Sequence, residues 1–237
     1  MSANDWIQIV IYLTVLLLLV KPIGSYMALV FADGPNKVTR FGARIERLVY
    51  RVAGVEPGEE MGWKKYALAM LLFNVLGMVA VYVLQRVQQW LPLNPEHFAA
   101  VSPDSAMNTA VSFASNTNWQ GYGGESTMSY LTQAVGLAVQ NFLSAATGIA
   151  VLVAVIRGFS RRGVKVLGNF WVDLTRTTLY ILLPLSLVIT LLLVSQGVVQ
   201  NVHPYEHATT VQATAYDEPV KDTDGNPVVD AAGKPMV

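Results

Sequence analysis

"SNTNWQGYGGES", Ser115–Ser126, decides how the rest of the chain is read. It is built from hydroxyls, carboxamides, glycines and two aromatics, with one charge, Glu125, and no Cys or His. It interrupts long apolar runs. Two readings are open at this point. The stretch is an interfacial turn whose amides satisfy one another, or it lines a polar path inside a membrane protein.

The surrounding sequence sets the solvent. Of 237 residues, 53% are hydrophobic and 14% charged, against about 25% charged in a soluble domain. Four apolar runs, Trp6–Phe31, Trp63–Arg86, Thr127–Ile156 and Leu167–Val199, each exceed the roughly 20 residues that cross a bilayer core. The fold class is therefore an all-α polytopic membrane protein with four transmembrane helices. The first run opens with "MSANDW", lacks a basic n-region and passes Lys21 and Pro22 without a cleavage signature, so it reads as a retained span that Pro22 kinks. Sixteen basic and sixteen acidic residues cancel, which gives a nucleic-acid partner no support. The absence of cysteine excludes thiolate metal sites, disulfides and Cys nucleophiles.

Basic residues orient the spans. Lys37, Arg40, Arg44, Arg47, Arg51, Lys64 and Lys65 lie between the first two, and Arg157, Arg161, Arg162 and Lys165 between the last two: seven and four, or eleven of the sixteen. Loops 32–62 and 157–166 are expected on the cytoplasmic side, with the N-terminus and residues 87–126 outside. Within the first loop, Val38, Phe41, Ile45, Leu48 and Val52 recur at helical spacing beside four arginines. This predicts an amphipathic basic helix that lies on the anionic leaflet in preference to docking a cytoplasmic partner.

Ser102-Pro103-Asp104 reads as a helix start, with Ser102 as N-cap, Pro103 first in the helix and Asp104 at the positive dipole end. A helix over 103–114 is about 18 Å long, too short to span, yet Ala106, Met107, Ala110, Val111, Phe113 and Ala114 call for burial. A re-entrant pore helix meets both demands. Its C-terminus, carrying about half a negative charge, aims at loop 115–125 and favours a cation. Asn116, Thr117, Asn118 and Gln120 supply neutral oxygens suited to a weakly hydrated monovalent ion, where a divalent ion calls for carboxylates. Gly121, Gly123 and Gly124 permit positive φ, so that carbonyls turn inward. Trp119 and Tyr122 wedge the loop, and Glu125 concentrates cations at its mouth. One loop cannot encircle an ion, so symmetry mates or internal repeats are required.

The wording is more specific than the architecture. "LPLNP", "MNTAVSF", "NTNWQ", "GES", "LTQAVGLAVQNFLSAATGIAV" and "GNFWVDLTRTTLYILLPLSL" resemble the potassium-binding, channel-like subunit of the bacterial Kdp-type potassium-pumping ATPase, up to about Tyr205. The resemblance implies ten spans, four span-pore-span repeats of a potassium-channel-like superfamily fold around one pore, and an extra N-terminal helix. It implies K⁺ as the transported ion, with Asn116, Thr117 and Asn118 in the first filter loop, Gln120 at its outer side and Gly121 beside it. It implies an inner-membrane complex with a P-type ATPase partner that hydrolyses ATP and two smaller subunits, and no catalytic residue on this chain. The chain then divides into the extra helix (1–31), the basic loop (32–62), the first repeat (63–156), a loop and the first span of a second repeat (157–199) and an extracytoplasmic tail (200–237). It is expected to be an N-terminal portion, since three further filter loops are missing. A passive channel or ion-coupled transporter, and a non-transporting assembly subunit, are the competing readings.

Other signals have plainer explanations. "HPYEH", His203–His207, matches H-x-x-E-H, but Pro204 breaks the helix a zinc site needs. Asp173 and Arg176 are spaced to pair on one helical face. Gln133, Gln140 and Asn141 are expected to bond between helices, with Ser144, Ala145, Gly148, Asn74 and Gly77 permitting close packing. Turn signals at Asp224-Gly225 and Gly233-Lys234-Pro235 leave two readings of the tail open, a small acidic hairpin or a disordered segment.

Overall fold

The computed structural model describes residues 3–32, 34, 36–161, 163–199 and 201–206. His207 and the tail beyond it, for which a hairpin or a disordered segment is expected, lie outside them. The chain divides into Met1–His203 and Pro204–Val237, and the first unit carries every element below. The described residues are helical and contain no strand, only one antiparallel bridge between Gly62 and Val166.

Helix α1 is Ala3–Val30, running through Pro22 without interruption. Helix α2 is Lys37–Ala53, α3 is Trp63–Val87 with a 3₁₀ turn at Gln88–Trp90, and α4 is Pro103–Ala114. A single turn, α5, covers Gly124–Thr127. Helix α6 spans Thr132–Ser160 and α7 spans Phe170–Ser195. Helices α1, α3, α6 and α7 are long and apolar enough to cross a membrane.

Two of them carry a π-helical stretch, Thr132–Ala138 in α6 and Thr177–Leu182 in α7. Each widens the turn where an irregular segment or a neighbouring helix packs closely.

The described residues form three apolar clusters. Ala69, Ala146, Ala150 and Ala154 let α3 and α6 close around Phe170, which is fully buried. Tyr66, Phe73 and Trp171 meet Phe170 edge-on, with centroids 5.2–6.0 Å away. A second cluster fixes α4: Ala106, Ala110 and Phe113 pack on Val81, Met128 and Leu137. In the third, Val30 at the end of α1 meets Tyr180 and Ile181 of α7.

The charges settle differently from their spacing. Asp173 does not pair with Arg176. Its carboxylate takes a bidentate bond from Arg157, at 2.6 and 3.0 Å, and a third bond from the Tyr66 hydroxyl at 3.0 Å. Arg176 reaches the other way, to Glu46 of α2 at 3.0 Å. One helical turn thus grips two different neighbours, because both charges are largely buried and each needs a partner from another element. The glutamines also depart from expectation. Gln133 bonds back to the carbonyls of Gly124 and Met128. Gln140 packs against Gly77, where any Cβ would collide with it, and its amide nitrogen has no partner.

Candidate functional site

The loop after α4 is organised around one carbonyl. Ser112 O accepts from Thr117 N at 3.0 Å, Asn118 N at 3.3 Å and Thr117 Oγ1 at 3.2 Å. The Ser112 hydroxyl donates to Trp119 O at 3.0 Å. Ser115 Oγ and Thr117 Oγ1 share a hydrogen bond of 2.6 Å. The chain therefore doubles back on the end of α4 as soon as the helix stops. Helix α4 begins as expected at Pro103, although the Ser102 side chain makes no capping bond.

The left-handed residues of this loop are asparagines, not glycines. Asn116 and Asn118 both have φ of 57°, with Thr117 between them outside that region. Gly121, Gly123 and Gly124 have no positive φ. Asparagine tolerates the left-handed region because its short carboxamide bonds locally, and here Asn118 Nδ2 donates to Asn116 Oδ1 at 2.7 Å. The glycines provide room instead: a Cβ on Gly123 would lie 2.9 Å from Ser126 Oγ, and one on Gly124 3.2 Å from Gln133 Oε1.

The oxygens divide into used and unused sets. Asn116 Oδ1 is occupied by the neighbouring amide, as the self-satisfied reading of the loop expects. Asn118 Oδ1 is buried without a donor. The carbonyls of Thr117, Asn118, Gln120 and Gly121 accept no hydrogen bond within the described residues. Gln120 donates to the Tyr122 hydroxyl at 3.3 Å. Tyr122 packs on the cluster between α3 and α4, and burial pushes its hydroxyl pKa up. Trp119 is 59% exposed, and its carbonyl accepts the bond from Ser112. Glu125 is exposed at the start of α5.

Residues overlooked in the sequence hold this loop in place. Gln88, fully buried, uses all four valences of its carboxamide. It donates to Ala99 O at 2.7 Å and Thr127 O at 2.9 Å, and accepts from Ser129 N and Thr132 Oγ1, both at 3.1 Å. It thereby ties the approach to α4 to the exit from the loop. Gln85 donates to Ala106 O at 3.1 Å within α4, and Arg86 bonds Val101 O just before it. The available signal was a pair of glutamines at the end of an apolar helix, where each buried amide needs partners.

Fold and loop together define a helical membrane protein in which two spans are joined by a short helix and an amide-rich turn. The family model of the potassium-transporting ATPase A subunit matches residues 10–223. The chain belongs to that family. It is 63% identical over 230 residues to the "Potassium-transporting ATPase potassium-binding subunit" of Ralstonia pickettii strain 12J, covering 97% of this chain and 39% of the relative. The proteins of the same name from Methylococcus capsulatus strain Bath and Janthinobacterium sp. strain Marseille are 60% and 55% identical, each covering 100% of this chain and 40% of the relative. The chain thus spans about two fifths of the length of the curated relatives it matches.

Proposed function

We propose that this chain forms the first ion-selecting segment of the potassium-binding subunit of an ATP-driven potassium importer. In this reading α4 is a re-entrant pore helix, and α3 to α6 form one of several span-pore-span repeats. Asn116, Thr117, Asn118, Gln120 and Gly121 contribute oxygens to K⁺, with Trp119, Tyr122, Gly123, Gly124 and Glu125 supporting them. The observation that carries the proposal is the run of unpaired carbonyls at Thr117 and Asn118, set between and on left-handed residues at the C-terminal end of α4. Such oxygens replace water around a dehydrated monovalent cation, and the helix end adds negative potential.

The remaining assignments follow from this reading. Loops 32–62 and 157–166 face the cytoplasm of the inner membrane, and the loop after α4 faces outward. Extra helix 1–31, loop 32–62, repeat 63–156, segment 157–199 and tail 200–237 are its parts. ATP is hydrolysed on a P-type partner subunit, two smaller subunits complete the complex, and this chain contributes no catalytic residue.

The test uses the complete complex and reads the K⁺ dependence of ATP-driven uptake. Asn118→Ala and Gln120→Ala are expected to weaken apparent K⁺ affinity, or discrimination against Na⁺, with assembly intact. Asn118→Gly removes the same amide but tolerates the left-handed backbone, whereas Ala there costs about 1–2 kcal/mol. It should retain more affinity than Asn118→Ala if carbonyl direction matters. Unchanged affinity and selectivity in all three would reduce the loop to scaffolding and favour the assembly-subunit reading.

A further inference from the structure

Helix α2 has three faces. Thr39, Gly42, Glu46 and Tyr50 are buried. Phe41, Ile45, Leu48 and Val52 are exposed, Phe41 at 96% and Val52 at 81%. Arg40, Arg44, Arg47 and Arg51 are exposed as well. At 3.6 residues per turn the three sets point in directions roughly 120° apart. The polar face is the one held by protein: Arg176 bonds Glu46 at 3.0 Å, Tyr180 donates to Thr39 O at 2.9 Å, and a Cβ on Gly42 would meet the Tyr180 hydroxyl at 2.5 Å. This docking fixes the roll of the helix, so the apolar stripe and the arginine row both point away from the protein contact.

The helix is also tied to a span end. Asn36 caps it through bonds from Val38 N at 2.9 Å and Thr39 N at 3.0 Å, while its own amide donates to Leu29 O of α1 at 2.6 Å. A groove of about 670 Å³ lies at this junction, walled by Leu29 and Val38 and carrying Lys37 and Arg40. None of the four arginines forms an ion pair among the described residues.

We infer that α2 is an anionic-phospholipid binding surface, with its stripe sunk among acyl chains, its four arginines at headgroup level and a headgroup seated in the groove beside Lys37 and Arg40. Charge complementarity selects this occupant. A stripe meant for a protein groove has no need of a flanking row of cations that find no acidic partner among the described residues, whereas a helix lying in an anionic leaflet uses both features. Helix α2 follows directly on α1, which is long and apolar enough to cross a membrane and leaves most of its large apolar side chains exposed.

The chain lacks cysteine, so Phe41→Cys in the complete complex, with any cysteines elsewhere in the complex replaced, takes a single bimane label. The complex is reconstituted in phosphatidylcholine containing a small, equal fraction of bromine-labelled phosphatidylglycerol or bromine-labelled phosphatidylcholine. Brominated phosphatidylglycerol is expected to quench with at least about tenfold preference over brominated phosphatidylcholine, well below the unscreened ceiling of about fivefold for each of the four arginines. Raising salt on the same sample should erode the preference without removing quenching. Lys37→Gln, Arg40→Gln, Arg44→Gln, Arg47→Gln and Arg51→Gln combined should bring the preference to about one. Equal quenching by both lipids in the parent overturns the inference, as does a label quenched by neither, which would mean that protein covers the stripe.

Discussion

The two ends of the helical unit are held by opposite chemistry. Around α4 the acceptors are neutral: Gln88, Gln85, Ser112, Thr132 and the asparagines pair amides and hydroxyls with backbone groups or with one another, and Arg86 adds one cationic donor, to the Val101 carbonyl. At the basic end the bonds are ionic: Arg157 with Asp173, Arg176 with Glu46, and Arg161 with Glu60 at 2.6 Å. A fixed charge beside a site for a dehydrated monovalent cation traps the ion or repels it. Neutral dipoles shape the site without either effect. Away from the proposed ion site, full charges give stronger and more directional locks between helices. The contrast predicts that cutting a bond at the basic end costs stability, whereas cutting one near α4 also changes ion handling.

The largest effect is expected at Asp173, whose side chain is 1% exposed against 15% for Arg157. Asp173→Asn leaves the Arg157 guanidinium buried beside a neutral amide. The complete subunit should lose about 3–5 kcal/mol in detergent-based unfolding, the cost of an orphaned buried charge. Removing both charges, Asp173→Leu with Arg157→Met, should restore much of the loss, because no unpaired ion remains. A single variant within about 1 kcal/mol of the parent would break the contrast at its ionic end.

Gln88 comes next. Gln88→Leu strands the carbonyls of Ala99 and Thr127, the Ser129 amide and the Thr132 hydroxyl in a buried site. Local relaxation limits the cost to about 2–3 kcal/mol. The sharper readout is the K⁺ concentration giving half-maximal ATPase activity of the complete complex. It should rise in Gln88→Leu and stay at the parental level in the Asp173→Leu, Arg157→Met double variant. Equal K⁺ requirements in Gln88→Leu and the parent would sever the amide cluster from the loop it anchors.

How much of this the sequence disclosed follows the same division. Apolar length alone yields the four spans, because the bilayer sets a minimum that few other segments meet. Pro103 and the end of the apolar pattern give α4 with both bounds correct. Loop 115–124 was legible as an uncharged, oxygen-rich segment with one acid, Glu125, at its end, since composition carries that information. Its backbone was not. The left-handed positions fell to Asn116 and Asn118, because the loop closes on Ser112 within three residues of the end of α4, before any glycine is reached. Ion-pair partners were the least legible. The three-residue spacing of Asp173 and Arg176 satisfied a helical rule, but their partners come from α6 and α2, which only tertiary packing brings near.

The smallest expected effect tests whether the ionic end extends to α2. The Tyr50 hydroxyl donates to Glu46 Oε1 at 3.1 Å, on the carboxylate that Arg176 also holds. Burial, reinforced by the Glu46 charge, raises the tyrosine pKa well above its ordinary 10.0. Tyr50→Phe removes one bond from a carboxylate that keeps its arginine, so the loss should be about 1 kcal/mol at neutral pH. The sign of the pH dependence follows from the raised value. The folded state holds the proton more tightly than the unfolded chain, so the contribution is complete below about pH 10 and is lost as pH climbs further, towards the folded-state value. Parent and Tyr50→Phe unfolding curves should therefore differ at neutral pH and converge above pH 10. A gap that stays constant across that range would mean that the tyrosine ionises no differently in the folded protein, and that Glu46 is held by Arg176 alone.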